Sequence, residues 1–305
     1  MLNRYVPVTM QCLGRNFVKI PSIFMRSSTA TGIFKPKMVK EESSSFGVSI
    51  IHGKLSPQEF ETNLLKRRIE LKDKFSTKIN VLRLEKKLSE TATLFRVQQI
   101  EDAYRSELRF MRAGNMIIVT IDSYRNSFLA EEQRLIEFMS QISEPGQGKN
   151  QGFCLGELIV SGDFQEESGS FLWKDGAGNT FDIDINTYVA DDPTPLLKRI
   201  SGPDSLLNLF NIGHTVLRAR DRTVSGMPAQ EWLGWTNLGE HGDEKTFKFT
   251  METMRPPGGK TSPSMQVTFD SAQQLEDGSQ TKTNLSDNEA MAIWDKVIDS
   301  IHPAQ

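Results

Sequence analysis

The chain has 305 residues, 37% hydrophobic and 25% charged, with 22 glycines, 13 prolines and two cysteines. That length favours two domains over one, and an apolar content near the globular norm excludes wholesale disorder. The net charge of −3 conceals an asymmetry, since residues 1–145 carry 23 Lys and Arg against 16 Asp and Glu, and residues 146–305 carry 13 against 23. Such halves attract one another or offer different faces to partners, although ordinary compositional drift gives the same pattern.

In chain order, β-type runs occupy residues 16–20, 46–51, 94–97 and 116–121. Between them Ser56-Pro57-Gln58-Glu59 combines a capping serine, a proline at the first helical position and a glutamate three residues after the cap. A helix is predicted from there to about residue 75, with Phe60, Leu64, Leu71 and Phe75 on one face. A second helix spans residues 129–142, striped by Leu135, Ile136, Phe138, Met139 and Ile142. Glu144-Pro145-Gly146-Gln147-Gly148-Lys149-Asn150-Gln151 supports neither helix nor strand, which sets domains at residues 1–144 and 152–305 with a linker over 145–151.

Downstream, residues 153–160 read as one strand, and strands over 171–174 and 180–188 flank the turn Asp175-Gly176-Ala177-Gly178-Asn179. Phe181, Ile183 and Ile185 alternate with Asp182, Asp184 and Asn186, giving one buried and one wet face. A short helix over 195–200 precedes strands near 215–219, 231–235, 246–251 and 265–269. Ser286-Asp287-Asn288-Glu289 is a second capping box, opening a helix to residue 301 that turns Met291, Trp294, Val297, Ile298 and Ile301 inward.

A pseudo-repeat links the halves. Cys12-Leu13-Gly14 recurs as Cys154-Leu155-Gly156, and Val119-Thr120-Ile121-Asp122-Ser123 recurs as Val267-Thr268-Phe269-Asp270-Ser271. Shared order, similar spacing and a closing amphipathic helix in each half predict an internal duplication. The fold class is therefore α+β: two related domains, each a mainly antiparallel sheet covered by helices. Equivalent placement of Cys12 and Cys154 in two repeats argues against their pairing and leaves the redox compartment open.

Motifs of catalysis are sparse. No Gly-x-Ser-x-Gly elbow occurs, and His52, His214, His241 and His302 lack the companions of a metal site. Gly176-Ala177-Gly178 sits in a hairpin instead of opening a helix, and Asp182-x-Asp184-x-Asn186 lacks the glycine of a calcium loop, so no metal or cofactor is expected. Lys66-Arg67-Arg68 with Lys72 and Lys74 offers a basic run for phosphates or a membrane surface. Interspersed Glu59, Glu61, Glu70 and Asp73 make it a solvated mixed-charge face instead. Core burial is the default for Trp173, Trp232 and Trp294, whereas Trp235 adjoins the acidic stretch Gly239-Glu240-His241-Gly242-Asp243-Glu244.

The runs Cys12-Leu13-Gly14-Arg15 with Ile20-Pro21, and Gly152-Phe153-Cys154 opening the second half, resemble two-domain immunity proteins that neutralise phospholipase effectors of the bacterial type VI secretion system. Residues 218–223 with Gly226, then Gln230-Glu231-Trp232-Leu233, the proline-rich stretch before residue 265 and Trp294-Asp295, resemble that family's C-terminal domain. The resemblance implies a non-enzymatic inhibitor whose two domains form a cleft around the cognate lipase effector and keep it from lipid. It also implies a periplasmic location. The N-terminus, however, lacks the basic start and apolar core of an export signal, which reads as cytoplasmic or as a mature or truncated chain.

Candidate partner contacts are Trp235, Glu240, Asp243 and Glu244 of the acidic loop, with Arg67 and Arg68 of the first long helix. No nucleic acid and no stable membrane insertion are expected, because the densest apolar runs are strand-sized. The rival readings are an enzyme with dispersed catalytic residues and a lipid-surface module using the basic helix.

Overall fold

The computed structural model describes residues 7–37, 44–73, 80–124, 126–146, 152–188, 194–201, 214–238, 244–254, 259–271, 283 and 285–304. The first half contains β1 (Val8–Leu13), β2 (Asn16–Pro21), β3 (Met25–Arg26), β4 (Thr29–Pro36), β5 (Phe46–Ile51), α1 (Pro57–Asp73), β6 (Val81–Ser89), β7 (Ala92–Ile100), β8 (Ala103–Arg112), β9 (Asn115–Tyr124), α2 (Phe128–Phe138) and β10 (Ile142–Ser143). The second contains β11 (Phe153–Leu155), β12 (Leu158–Val160), β13 (Phe164–Lys174), β14 (Thr180–Asn186), α3 (Leu196–Ser201), β15 (His214–Val224), β16 (Met227–Leu238), β17 (Glu244–Thr253), β18 (Ser264–Asp270), α4 (Asp287–Ile298) and β19 (His302–Pro303). The fold is α+β, with helices packed on mainly antiparallel sheet. Two compact units result, one of residues 28–169 and one of residues 1–27 with 170–305.

In the unit of residues 28–169, β6 to β9 form a meander, and β5 and then β4 follow beside β9. The β8–β9 turn places Ala113 at φ 53° and Gly114 at φ 72°, the doubly left-handed geometry whose twist matches that of a hairpin. Helix α1 starts where the sequence places it. Ser56 N donates to Glu59 Oε2 at 2.7 Å and Glu59 N donates back to Ser56 Oγ at 3.3 Å, satisfying two otherwise orphaned donors. Its Phe60, Leu64 and Leu71 pack on Phe95, Val97 and Met116 of one sheet face. Helix α2 covers the other face, where Phe138 stacks on Phe46 at 4.3 Å and meets Phe34 at 6.1 Å.

In the unit of residues 1–27 and 170–305, β15 to β18 form a meander followed by β14 and β13. Ser225 at φ 53° and Gly226 at φ 78° make the β15–β16 turn. Helix α4 has the expected capping box between Ser286 and Glu289 and buries Ala290, Trp294, Val297 and Ile298. Trp294 stacks over Phe181 at 6.3 Å and meets Phe249 edge-on at 5.8 Å. On the other face Leu197 N of α3 donates to Gln230 Oε1 at 3.0 Å. The β1–β2 hairpin packs on α4 through β2, and β19 pairs β2 antiparallel.

Two local expectations change, and one strand carries no sequence signal. Residues 153–160 form a hairpin instead of one strand, because Gly156 at φ 70° turns the chain between Leu155 and Leu158. Strand β6 escapes the hydrophobic pattern because it is a sheet edge rich in charge (Arg83, Glu85, Lys86 and Lys87), a composition that discourages further pairing. Cys12 and Cys154 are both disulfide-bonded, where the repeat argued for two thiols.

Candidate functional site

The residues that carry the C-terminal resemblance converge. Strand alternation puts Arg218, Arg220 and Arg222 of β15 on one face, and the register sets Arg220 opposite Glu231 of β16. Glu231 is fully buried. Arg220 Nε donates to its Oε1 at 2.7 Å, Arg222 Nη1 donates to Oε2, and the Trp294 indole Nε1 donates to Oε2 at 3.1 Å. Arg218 Nε lies 2.8 Å from Oε1 as an ion pair. Asp295 of α4 accepts from Arg218 Nη1 at 3.0 Å, and Asp299, which caps the helix C-terminus, accepts from Arg222.

Three guanidiniums thus face three carboxylates, so the buried charge is balanced and α4 is tied to the β15–β16 hairpin. Burial by itself raises the Glu231 carboxyl. The donors from Trp294, Arg220 and Arg222 outweigh it and hold the group below its ordinary range. The Arg218-x-Arg220-x-Arg222 alternation is the sequence signal for this cluster, but it does not reveal the partners: Glu231 comes in through strand register, and Asp295 and Asp299 come from 77 residues away.

Trp235 lies in β16, half-buried, opposite Phe247 of β17. Its indole Nε1 is buried without a hydrogen-bond acceptor among the described residues. Lys245 Nζ sits 4.6 Å from the centroid of the Trp235 ring and 4.6 Å from that of Phe247, a cation held against aromatic faces. Lys245 also pairs with Asp287 in the first turn of α4. The root of the acidic loop is therefore fixed: Leu238 pairs Glu244 in the β16–β17 ladder. Glu240, Asp243 and the side chain of Glu244 lie outside the described residues.

Arg67 and Arg68 sit on α1, in the other unit. Arg67 donates through Nε and Nη2 to Glu107 of β8 at 3.1 and 2.8 Å, and through Nη1 to Glu70 at 3.0 Å. Glu107 is buried and also receives Arg109. Arg68 pairs with Glu85 of β6 at 2.6 Å, both side chains 30% exposed. Removing Arg67 strips a buried carboxylate of two charge-assisted bonds, so Arg67→Ala should cost about 2–3 kcal/mol. Arg68→Ala should cost under about 1 kcal/mol, the scale of a solvent-screened pair. Urea melts of the two variants measure the difference, and equal losses would sink it.

A family model described as the Tle cognate immunity protein 4 C-terminal domain matches residues 148–303. No curated protein matches. Solved structures share the fold. The apo structure of the immunity protein TplEi of the T6SS from Pseudomonas aeruginosa is 16% identical with a TM-score of 0.66, covering 97% of each chain. The crystal structure of the Tle4–Tli4 complex contains a chain 17% identical with a TM-score of 0.68, again over 97% of each. TplEi from Pseudomonas aeruginosa complexed with "L" peptide is 18% identical with a TM-score of 0.64, over 97% of this chain and 98% of that one. The family match takes in more than half of the chain and the whole Arg218–Glu231–Trp294 cluster, and the chain belongs to the Tle cognate immunity protein 4 C-terminal domain family.

Proposed function

We propose that this protein is the immunity partner of a type VI secretion lipase effector, binding the effector and keeping it from lipid. The observation that carries the reading is the family match over residues 148–303. The similarity in fold to a chain solved as a Tle4–Tli4 complex supports it. An immunity protein acts by occupancy, so the chain is an inhibitor and not an enzyme.

The periplasm is the proposed location. Both cysteines are disulfide-bonded, a state that persists in oxidising compartments and is rare in the reducing cytosol. The proposed domains are residues 1–144 and 152–305 joined by 145–151, a division supported by the family match starting at residue 148. Within the unit of residues 1–27 and 170–305, the proposed contacts are Trp235 with Glu240, Asp243 and Glu244. Arg67 and Arg68 are proposed contacts of a separate patch on α1, acting from positions already fixed by Glu107 and Glu85.

Co-purification with the product of the adjacent reading frame, followed by phospholipase assays of that product with increasing amounts of this protein, tests the reading. A stable complex and inhibition complete near one equivalent are expected. A lipase that stays fully active and elutes alone would overturn it.

A further inference from the structure

The two units share one plan. In each, two strands precede a helix, a four-stranded meander follows, a second helix covers the opposite sheet face, and a two-residue strand comes last: β4-β5-α1-β6-β7-β8-β9-α2-β10 against β13-β14-α3-β15-β16-β17-β18-α4-β19. The strand orders agree as well, β6-β7-β8-β9-β5-β4 against β15-β16-β17-β18-β14-β13.

Side chains coincide at matched register positions. Arg105 pairs Asp122 at 2.8 Å across β8 and β9, and Lys248 pairs Asp270 at 3.6 Å across β17 and β18. The next residues, Ser123 and Ser271, are both buried, and each bonds to the backbone of the facing aromatic, Tyr104 or Phe247. Each plan also has a hairpin with glycine opening its two-residue turn: β1–β2 with Gly14 at φ 58° and β11–β12 with Gly156 at φ 70°.

The hairpins are on the wrong units for their place in the chain. β1–β2 precedes the first plan, yet it closes with the last strand of the second: His302 pairs Phe17, Ala304 N donates to Arg15 O at 2.8 Å, and Lys19 N donates to Ser300 Oγ at 2.8 Å. β11–β12 precedes the second plan, yet Ile142 and Ser143 of β10 pair its Val160 and Ile159. Ser161 N donates to Gln141 O at 2.8 Å, and Phe153 meets Phe34 of β4 at 5.3 Å.

We propose that the chain is two copies of one repeat, residues 8–143 and 153–303, that exchange their N-terminal hairpins. Each compact unit is closed by a hairpin carried in the other copy's stretch of chain, which is why the units divide at residues 27/28 and 169/170. The stability of each unit then depends on a hairpin that belongs to the other copy, and the two copies fold as interdependent parts.

Hydrogen exchange on the full-length protein tests the exchange. Ile20 of β2 and Leu155 of β11 are both fully buried. Ile20→Ala should speed amide exchange in α4 by roughly tenfold and leave α2 within about twofold, and Leu155→Ala should do the reverse. Ile20→Val and Leu155→Val give the same contrast, smaller, if the alanine variants do not fold. Acceleration in the helix of the same copy, equal acceleration of both helices, or no selective acceleration in either variant would overturn the proposal.

Discussion

Glu231→Gln is expected to destabilise the unit of residues 1–27 and 170–305 by about 3–5 kcal/mol, the scale for breaking a buried ion pair from one side. The substitution keeps the shape and removes the charge on which Arg218, Arg220, Arg222 and the Trp294 indole converge. Arg222 suffers most, being nearly buried and left with Asp299 alone. The readout is specific: the four tryptophans, Trp173, Trp232, Trp235 and Trp294, all fall within this unit, so a urea melt followed by tryptophan fluorescence reports its unfolding. A loss below about 1 kcal/mol would mean that the guanidiniums are solvated well enough to need no buried partner.

The same carboxylate sets a pH dependence with a definite sign. Its folded-state value lies below the ordinary one, because the Trp294, Arg220 and Arg222 donors outweigh burial. The stability it contributes is therefore complete above the unfolded-state value, about 4.3, and is lost as pH falls through the depressed folded-state value. The gap between wild type and Glu231→Gln should be widest near neutrality and close progressively below about pH 4. A gap that stays constant into acid would assign the loss to packing instead of charge.

Local signals are legible in the sequence. Both capping boxes are self-contained within four residues, and helices α1 and α4 begin where Ser56 and Ser286 place them. The alternation of Phe181, Ile183 and Ile185 with Asp182, Asp184 and Asn186 appears as the two faces of β14. Trp173, Trp232 and Trp294 are core residues, as their size leads one to expect. Features that depend on who pairs with whom were not legible. Nothing near residue 14 specifies that β2 closes with residues 302 and 303, because a ladder is made of backbone groups common to every sequence. In the sequence Glu231 is one residue of a family-like run, and only register brings it under three arginines. For the candidate contacts, the structure locates Trp235 beside the anchored Lys245 and shows Arg67 and Arg68 held in ion pairs within α1's own unit.

Reversing the acidic loop, Glu240→Lys with Asp243→Lys and Glu244→Lys, is expected to slow association with the effector about tenfold or more at low salt, with a smaller effect on dissociation. The argument begins with charge: residues 146–305 carry 13 Lys and Arg against 23 Asp and Glu, so this half draws in a basic surface. Three reversed charges in the stretch between Leu238 and Lys245 replace attraction with repulsion during encounter. Screening shortens the reach of both, so wild type should slow steeply as salt rises and the variant hardly at all. The root of the loop is held by the Leu238–Glu244 pair and by Lys245 between Trp235 and Asp287, so the loop can be recharged while its anchor stays. Trp235→Ala probes the complementary quantity: removing a half-buried aromatic anchor should quicken dissociation by roughly thirtyfold, about 2 kcal/mol, and leave the on-rate near wild type. Stopped-flow association at two ionic strengths, with dissociation by competitor chase, separates the two effects. An unchanged on-rate in the triple variant would remove the loop from the encounter surface, and an unchanged off-rate in Trp235→Ala would remove the tryptophan from the bound interface.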